Sequence, residues 1–431
     1  MKVKLSMSNA SITKSHFERY RFFTQSFVFG LIASQKLVLG GEIYIGEILA
    51  ILYFISHIKP RQFSTFETRF FQLALVWSAA QLFSDVINQT LMMDSIKGVL
   101  APIVFSLSAL GLVSYFRLNL NKMPSFILGV AVGTLLNVIF FPDSFAQDNP
   151  WKWGVGSGMI SIYAIYISFF QRRLKILYLI LVPIVFFGIS MFFSARSLSS
   201  FPIISMLIYL KSRNGKLTWF SKYFGGKWGI TRLLAFVLPT IIVINLLLTM
   251  LFTSSSVLSN FSDDAAEKYR AQASGTYGIL LGGRSEIIIS SQAFYDSPWI
   301  GHGSWAHDES GKYLNEYRGL KSQLGYVMSD AGAGAADDLD LIPVHSYLMG
   351  GFVWAGILGG FFWLYLLNQS IKSFIRHIAK MPYYYHLNII LFIWNVFFSP
   401  FGASARWASA VFLASYFSYL YELTAQSKNK T

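Results

Sequence analysis

The sequence predicts an all-α bundle of about twelve membrane helices, with one long extramembrane loop between the ninth and tenth. Three observations carry this. Over 431 residues, 54% are hydrophobic, 17% aromatic and only 13% charged, and mean hydropathy is +0.48, well outside the composition of soluble domains. Apolar runs of spanning length recur from Phe22 to Tyr421, so many spans must share one bundle rather than anchor a soluble core. Lysine and arginine collect in alternate connections, as retention on one side of a membrane requires.

Taken in order, the apolar runs are Phe22 to Leu39, Ile43 to Ile58, Phe70 to Ile87, Gly98 to Phe116, Pro124 to Phe141 and Trp153 to Phe170. The later six are Leu174 to Phe193, Leu198 to Leu210, Leu233 to Phe252, Pro343 to Leu367, Tyr384 to Phe398 and Trp407 to Tyr421. The eighth is the weakest, being short and holding Pro202. The first twenty residues are polar and basic, and no small-residue cleavage site follows the first run, so a retained span without a signal peptide is expected. The absence of cysteine excludes disulfides, thiolate metal sites and cysteine nucleophiles, and fits a bacterial envelope.

The alternate connections hold Lys2 to Arg21, Lys59 to Arg69, Arg117 and Lys122, Arg172 to Lys175, Lys211 to Arg232, Lys372 to Lys380, and Lys428 with Lys430. Together they carry 24 of the 35 basic residues against Glu18, Glu67 and Glu422 alone. These connections and both termini are therefore expected in the cytoplasm. The net charge of +14 is thus an orientation signal and gives no support to nucleic-acid binding. Losing the eighth span would place the acid-free Lys211 to Arg232 loop outside, so it is retained. Three regions follow: a membrane bundle at 1–252, a periplasmic loop with short helices at 253–342, and three final spans at 343–431. A loop of that length in a compact protein is usually functional. It includes an amphipathic stretch, Ser285 to Tyr295, and an acidic Gly/Ala-rich stretch, Ser329 to Asp340, that reads as a flap.

Four residues at the outer face or in the loop could carry chemistry: Arg196, Arg284, His345 and Arg406. Arg196 lies in a turn of few residues between spans seven and eight, where a guanidinium near lipid needs an anionic partner or must snorkel to the interface. Arg284 follows Gly282-Gly283, which lets backbone and guanidinium approach a ligand together, though a surface arginine at a helix start would look the same. His345 opens span ten after Pro343, as a general base, a hydrogen-bond anchor or an interfacial residue. Arg406 enters the last span beside Trp407, which is also the ordinary interfacial pair. His302 with His307, and Asp337 with Asp338 and Asp340, are weaker metal-ligand candidates lacking a fixed third ligand or reading as a solvated linker. Glu47 inside span two is a costly intramembrane acid, and a buried partner such as Lys36 would explain it.

The order of the motifs resembles the O-antigen ligase and O-antigen polymerase superfamily of bacterial envelope glycosyltransferases. The resemblance rests on Ser194-Ala195-Arg196, Gly283-Arg284, Pro298-Trp299-Ile300-Gly301-His302-Gly303, His345-Ser346-Tyr347-Leu348 and Gly356-Ile357-Leu358-Gly359, and covers roughly Phe193 to Gly360. It implies a cofactor-free, metal-independent transferase of the inner membrane with a periplasmic site and an undecaprenyl-diphosphate-linked glycan as donor. Its other partners would be a lipid-linked acceptor, membrane lipid and a chain-length regulator protein. Arginine forks can neutralise a departing diphosphate without a metal, so Arg196, Arg284 and Arg406 are the donor-binding candidates. His345 would take the proton of the attacking hydroxyl, with Arg284 as its catalytic companion. His302 and Tyr347, within the same motifs, are the candidates for contact with the acceptor. Two departures stand out, the long gap between Gly303 and His345 and the acidic insert within it. A polymerase is the leading expectation, a ligase to lipid A core sugar the alternative. A transporter or flippase would instead spread ionisable groups at midplane depth.

Overall fold

The computed structural model describes residues 24–38, 40–57, 63–118, 120–142, 146–147, 149–170, 176–193, 195–213, 215, 218–224, 226, 229–259, 266–267, 269–270, 273, 285–323 and 340–428. Among them a helix overlaps each of the twelve apolar stretches. In chain order these are α1 (Thr24–Ala33), α2 (Ile45–His57), α3 (Thr65–Ile87), α4 (Met92–Leu118), α5 (Met123–Phe140), α6 (Trp151–Phe170), α7 (Ile176–Phe192) and α8 (Arg196–Arg213). There follow α9 (Thr218–Phe224), α10 (Gly229–Thr253), α11 (Ser285–Asp296), α12 (Lys312–Gln323), α13 (Tyr347–His377), α14 (Tyr383–Phe398) and α15 (Ala403–Lys428). Helices α9, α11 and α12 lie between the apolar stretches. Among the described residues five helices, Thr65–Ile87, Met92–Leu118, Leu120–Phe140, Trp151–Phe170 and Tyr347–Lys380, are long and apolar enough to cross a membrane. The protein is an all-α, membrane-embedded bundle.

One local departure separates the first two apolar runs. The chain leaves α1 at Ala33 and forms a small antiparallel hairpin, β1 (Lys36–Val38) with β2 (Glu42–Tyr44), before α2 begins. Gly40, at φ +68°, makes the turn that an L side chain resists. Hydrophobicity extends through Leu37, Val38 and Leu39, which hides the break from a reading based on apolar run length.

Helix α4 is central, packing against α2, α3 and α15, while α3 also packs along α13. Close approach comes from small residues: a methyl on Gly111 of α4 would overlap the Ala50 carbonyl of α2. Likewise Gly129 and Gly133 of α5, spaced four apart, abut Phe27 and Ser34, the small-residue contact by which helices pack in lipid. Between α3, α4 and α13 lies an aromatic core in which Trp77 meets Phe362 at 5.1 Å and Trp363 at 5.6 Å. Helix α8 runs through Pro202 without a break. Tyr383 of neighbouring α14 donates to the Pro202 carbonyl at 3.1 Å and accepts from Ser205 at 3.2 Å, so an adjacent helix supplies contacts around the proline.

The two ends of the α3–α4 pair differ in chemistry. At one end Ser64 and Glu67 form a reciprocal capping box, with Ser64 N donating to Glu67 at 2.8 Å and Glu67 N to Ser64 Oγ at 3.3 Å. The same carboxylate takes a charge-assisted bond from Arg117, whose guanidinium lies 4.3 Å from the centre of the Tyr421 ring. At the other end are Asp85, Asn88 and Asp94, and there the segment between α10 and α13 docks.

Candidate functional site

Helix α13 is discontinuous. Ala355 (φ −126°, ψ 16°) and Gly356 (φ 62°, ψ −157°) leave helical geometry, so the helix comprises an upper half from Tyr347 to Trp354 and a lower half from Ile357 onward. Such a break frees backbone groups that a membrane protein must satisfy internally. The loop Pro298 to Ser304 satisfies them. His302 N donates to the Val353 carbonyl at 2.7 Å, Gly303 N to the Trp354 carbonyl at 3.2 Å, and Ile357 N to the Pro298 carbonyl at 2.8 Å. This backbone pairing explains one glycine in each motif, Gly301 and Gly356. A methyl on Gly301 (φ +83°) would strike Trp354, and one on Gly356 would overlap the Trp299 carbonyl. Gly351 and Gly359 touch across the break, letting the two half-helices cross closely.

A polar stripe on α3 grips the same loop. Gly303 N also donates to Ser84 Oγ at 3.0 Å, and Asp85 accepts from Ser304 N at 2.6 Å and from Ser304 Oγ at 2.8 Å. Gln81 donates to Ser304 Oγ at 2.9 Å and to the Trp354 carbonyl at 3.3 Å, and Asn88 to the Gly301 carbonyl at 3.3 Å. Gln81, Ser84, Asp85 and Asn88 follow the three-and-four spacing of one helix face. Sequence reasoning missed all four. Their signal was present as a polar face at the end of an otherwise apolar span, the kind of placement that is costly in lipid without partners.

Beyond the loop the chain doubles back. Ile342 N donates to the Ala306 carbonyl at 2.9 Å and Asp308 N to the Asp340 carbonyl at 2.6 Å, with His307 and Leu341 in an antiparallel bridge. The long interval between Gly303 and His345 is therefore an excursion whose two ends are joined. Its first part is α12, and residues 324–339, which include Asp337, Asp338 and most of the acidic insert, lie outside the described residues. Helix α12 is tied to α11 by Lys312 and Tyr313, which donate to Asp296 at 2.6 and 2.7 Å, and by Tyr317 to Glu286 at 2.8 Å. The bonds from Lys312 and then Tyr313 hold the Asp296 carboxyl below its ordinary range. Burial, reinforced by that carboxylate, pushes the Tyr313 hydroxyl up.

The sequence-derived candidates fare differently. Arg284 lies outside the described residues. Arg196 is the first residue of α8, directly after the short turn from α7. His345 is half-buried and stands just before the Ser346 cap of α13, whose hydroxyl accepts from Met349 N at 3.1 Å and donates to the Val396 carbonyl at 2.8 Å. Arg406, expected at a donor diphosphate, is instead forked onto Glu47, with Nε to Oε1 at 2.6 Å and Nη2 to Oε2 at 2.9 Å, and Nη2 also meets the Glu42 carbonyl at 3.1 Å. This gives the intramembrane acid a partner other than Lys36, which pairs with Glu42 at 2.7 Å. Tyr347, expected near an acceptor, is 1% exposed, and its ring packs on Trp363 and Phe401. His302, expected there too, has its Nε2 2.7 Å from the Ala293 carbonyl and its ring edge-on to Tyr313. His307 points elsewhere, 3.9 Å from Asp94, so the two histidines do not form a pair.

What the described arrangement does is mechanical and positional. It clamps the Pro298–Ser304 loop into a broken helix and holds the start of that helix, with His345, beside the strand returning from Asp340. No protein-family model matches the chain, and no curated protein or solved structure is significantly similar to it.

Proposed function

We propose that the chain is a bacterial inner-membrane glycosyltransferase of twelve spans, with both termini in the cytoplasm. It takes glycan from an undecaprenyl-diphosphate carrier at the periplasmic face and adds it to a second lipid-linked repeat unit. The observation that supports this reading most is the joining of Ala306–Asp308 to Asp340–Ile342, which brings two motifs far apart in sequence into one neighbourhood. In the proposed step an acceptor hydroxyl attacks the anomeric carbon, the bond to the carrier diphosphate breaks, and the hydroxyl proton passes to His345. The charge that gathers on the departing diphosphate is met by Arg196 and Arg284, since Arg406 is committed to Glu47. Tyr347 and His302, both engaged inside the protein, support the site's frame rather than the acceptor.

The test is transfer by purified protein with a lipid-linked donor in the presence of EDTA. His345→Ala should retain donor affinity while turnover falls by about a hundredfold. Arg284→Lys should fail nearly as badly as Arg284→Ala, because a point charge does not reproduce a two-pronged contact. Normal polymerisation by His345→Ala overturns the assignment, and product attached to lipid A core instead of a lipid-linked chain makes the protein a ligase.

A further inference from the structure

The lower half of α13 presents Ile357, Leu358, Phe361 and Leu364 outward, each 41–50% exposed. Their spacing makes one stripe along a helix long and apolar enough to span a membrane, so the stripe faces lipid. At the far end of the half-helix, Lys372 and Arg376 supply the charge that stays at an aqueous boundary. From Arg376 up to Ile357 the helix rises about 28 Å at its usual pitch. That matches a hydrocarbon core of about 30 Å. The break at Ala355 and Gly356 therefore falls at the opposite membrane boundary.

Trp299 is pinned at that level. Its carbonyl lies against Gly356, and the preceding Pro298 carbonyl accepts from Ile357 N at 2.8 Å. Its side chain nevertheless is 75% exposed. A large, exposed indole on a backbone clamped beside the first residue of that stripe has the apolar body and polar tip that settle among headgroups.

We infer that Trp299 is a membrane-interface anchor, by which the segment between α10 and α13 rests on the phospholipid headgroup layer beside the break in α13. The partner is the bilayer itself. The inference does not depend on the proposed glycosyl transfer.

Because the chain has no cysteine, single labels report cleanly. A nitroxide is placed at Trp299→Cys, at Phe361→Cys on the lipid-facing stripe, and at Ser322→Cys on the exposed side of α12. Full-length protein is reconstituted in vesicles of phosphatidylethanolamine and phosphatidylglycerol, and collision with oxygen is compared with collision with a water-soluble nickel chelate. The oxygen-to-nickel ratio at 299 should be several-fold above that at 322 and below that at 361. A water-like ratio at 299 overturns the inference, as does low access to both reagents, which would mean that protein covers the site. Benzoylphenylalanine at 299, which keeps an aromatic there, should form a phospholipid adduct on illumination. Capture of protein alone, with no lipid adduct, also overturns it.

Discussion

Asp85 binds both polar groups of Ser304, a residue 219 positions away, and is almost fully buried while doing so. Its carboxylate can only accept, and Ser304 offers one backbone and one side-chain donor, so the match is complete at those two oxygens. Asp85→Ala should cost about 1–3 kcal/mol, the range for leaving buried donors unmade. Asp85→Asn should cost less, because its carbonyl oxygen still receives the Ser304 N–H. Thermal unfolding of detergent-purified protein would rank the two, and equal loss would mean that space rather than hydrogen bonding matters there. Arg406 teaches the complementary lesson. An arginine beside a tryptophan at a span entrance is equally compatible with ligand binding and with pairing, and only the position of Glu47 on α2 decides between them.

At the scale of elements, the central feature is a broken helix mended by a loop. Neither half of the arrangement stands alone: the exposed carbonyls of Val353 and Trp354 need His302 and Gly303, and those amides need acceptors. Gly356 has no room for a side chain, since its φ of +62° disfavours one and a methyl there meets the Trp299 carbonyl. Gly356→Ala should therefore lower stability by about 1–3 kcal/mol or more and free the Pro298–Ser304 loop to limited proteolysis. Gly402→Ala, at a glycine with open space around it, is the control and should behave like the parent. Proteolysis patterns that are the same for both variants would mean that the break is not what holds the loop.

For the whole molecule, the two ends of the α3–α4 pair differ in what they hold. Glu67 and Arg117 occupy one end, and the loop-binding Asp85 and Asn88 the other. On the proposed topology, the acid-free Lys211 to Arg232 connection and α12 lie across the membrane from each other. Reporter fusions after Gly226 and after Ser322 should thus signal opposite sides. The same signal from both would mean that α10 does not cross the membrane, and the outward placement of the loop would fall with it.

The sequence by itself determined the class of protein and the approximate course of its helices, because lipid imposes long apolar runs and charge retention that are written residue by residue. Through the motif resemblance it also singled out Pro298 to Gly303 and Gly356 to Gly359 as segments to watch. What it did not contain was their meeting. The break in α13, the grip of α3 on Ser304, the pairing of Arg406 with Glu47, and the return of Asp340 to Asp308 are all contacts between distant segments. A polar residue in sequence declares only that it needs a partner. Which partner answers is decided by helix packing, and the hairpin at Lys36–Tyr44 went unseen because apolar content alone does not reveal where backbone hydrogen bonds change hands.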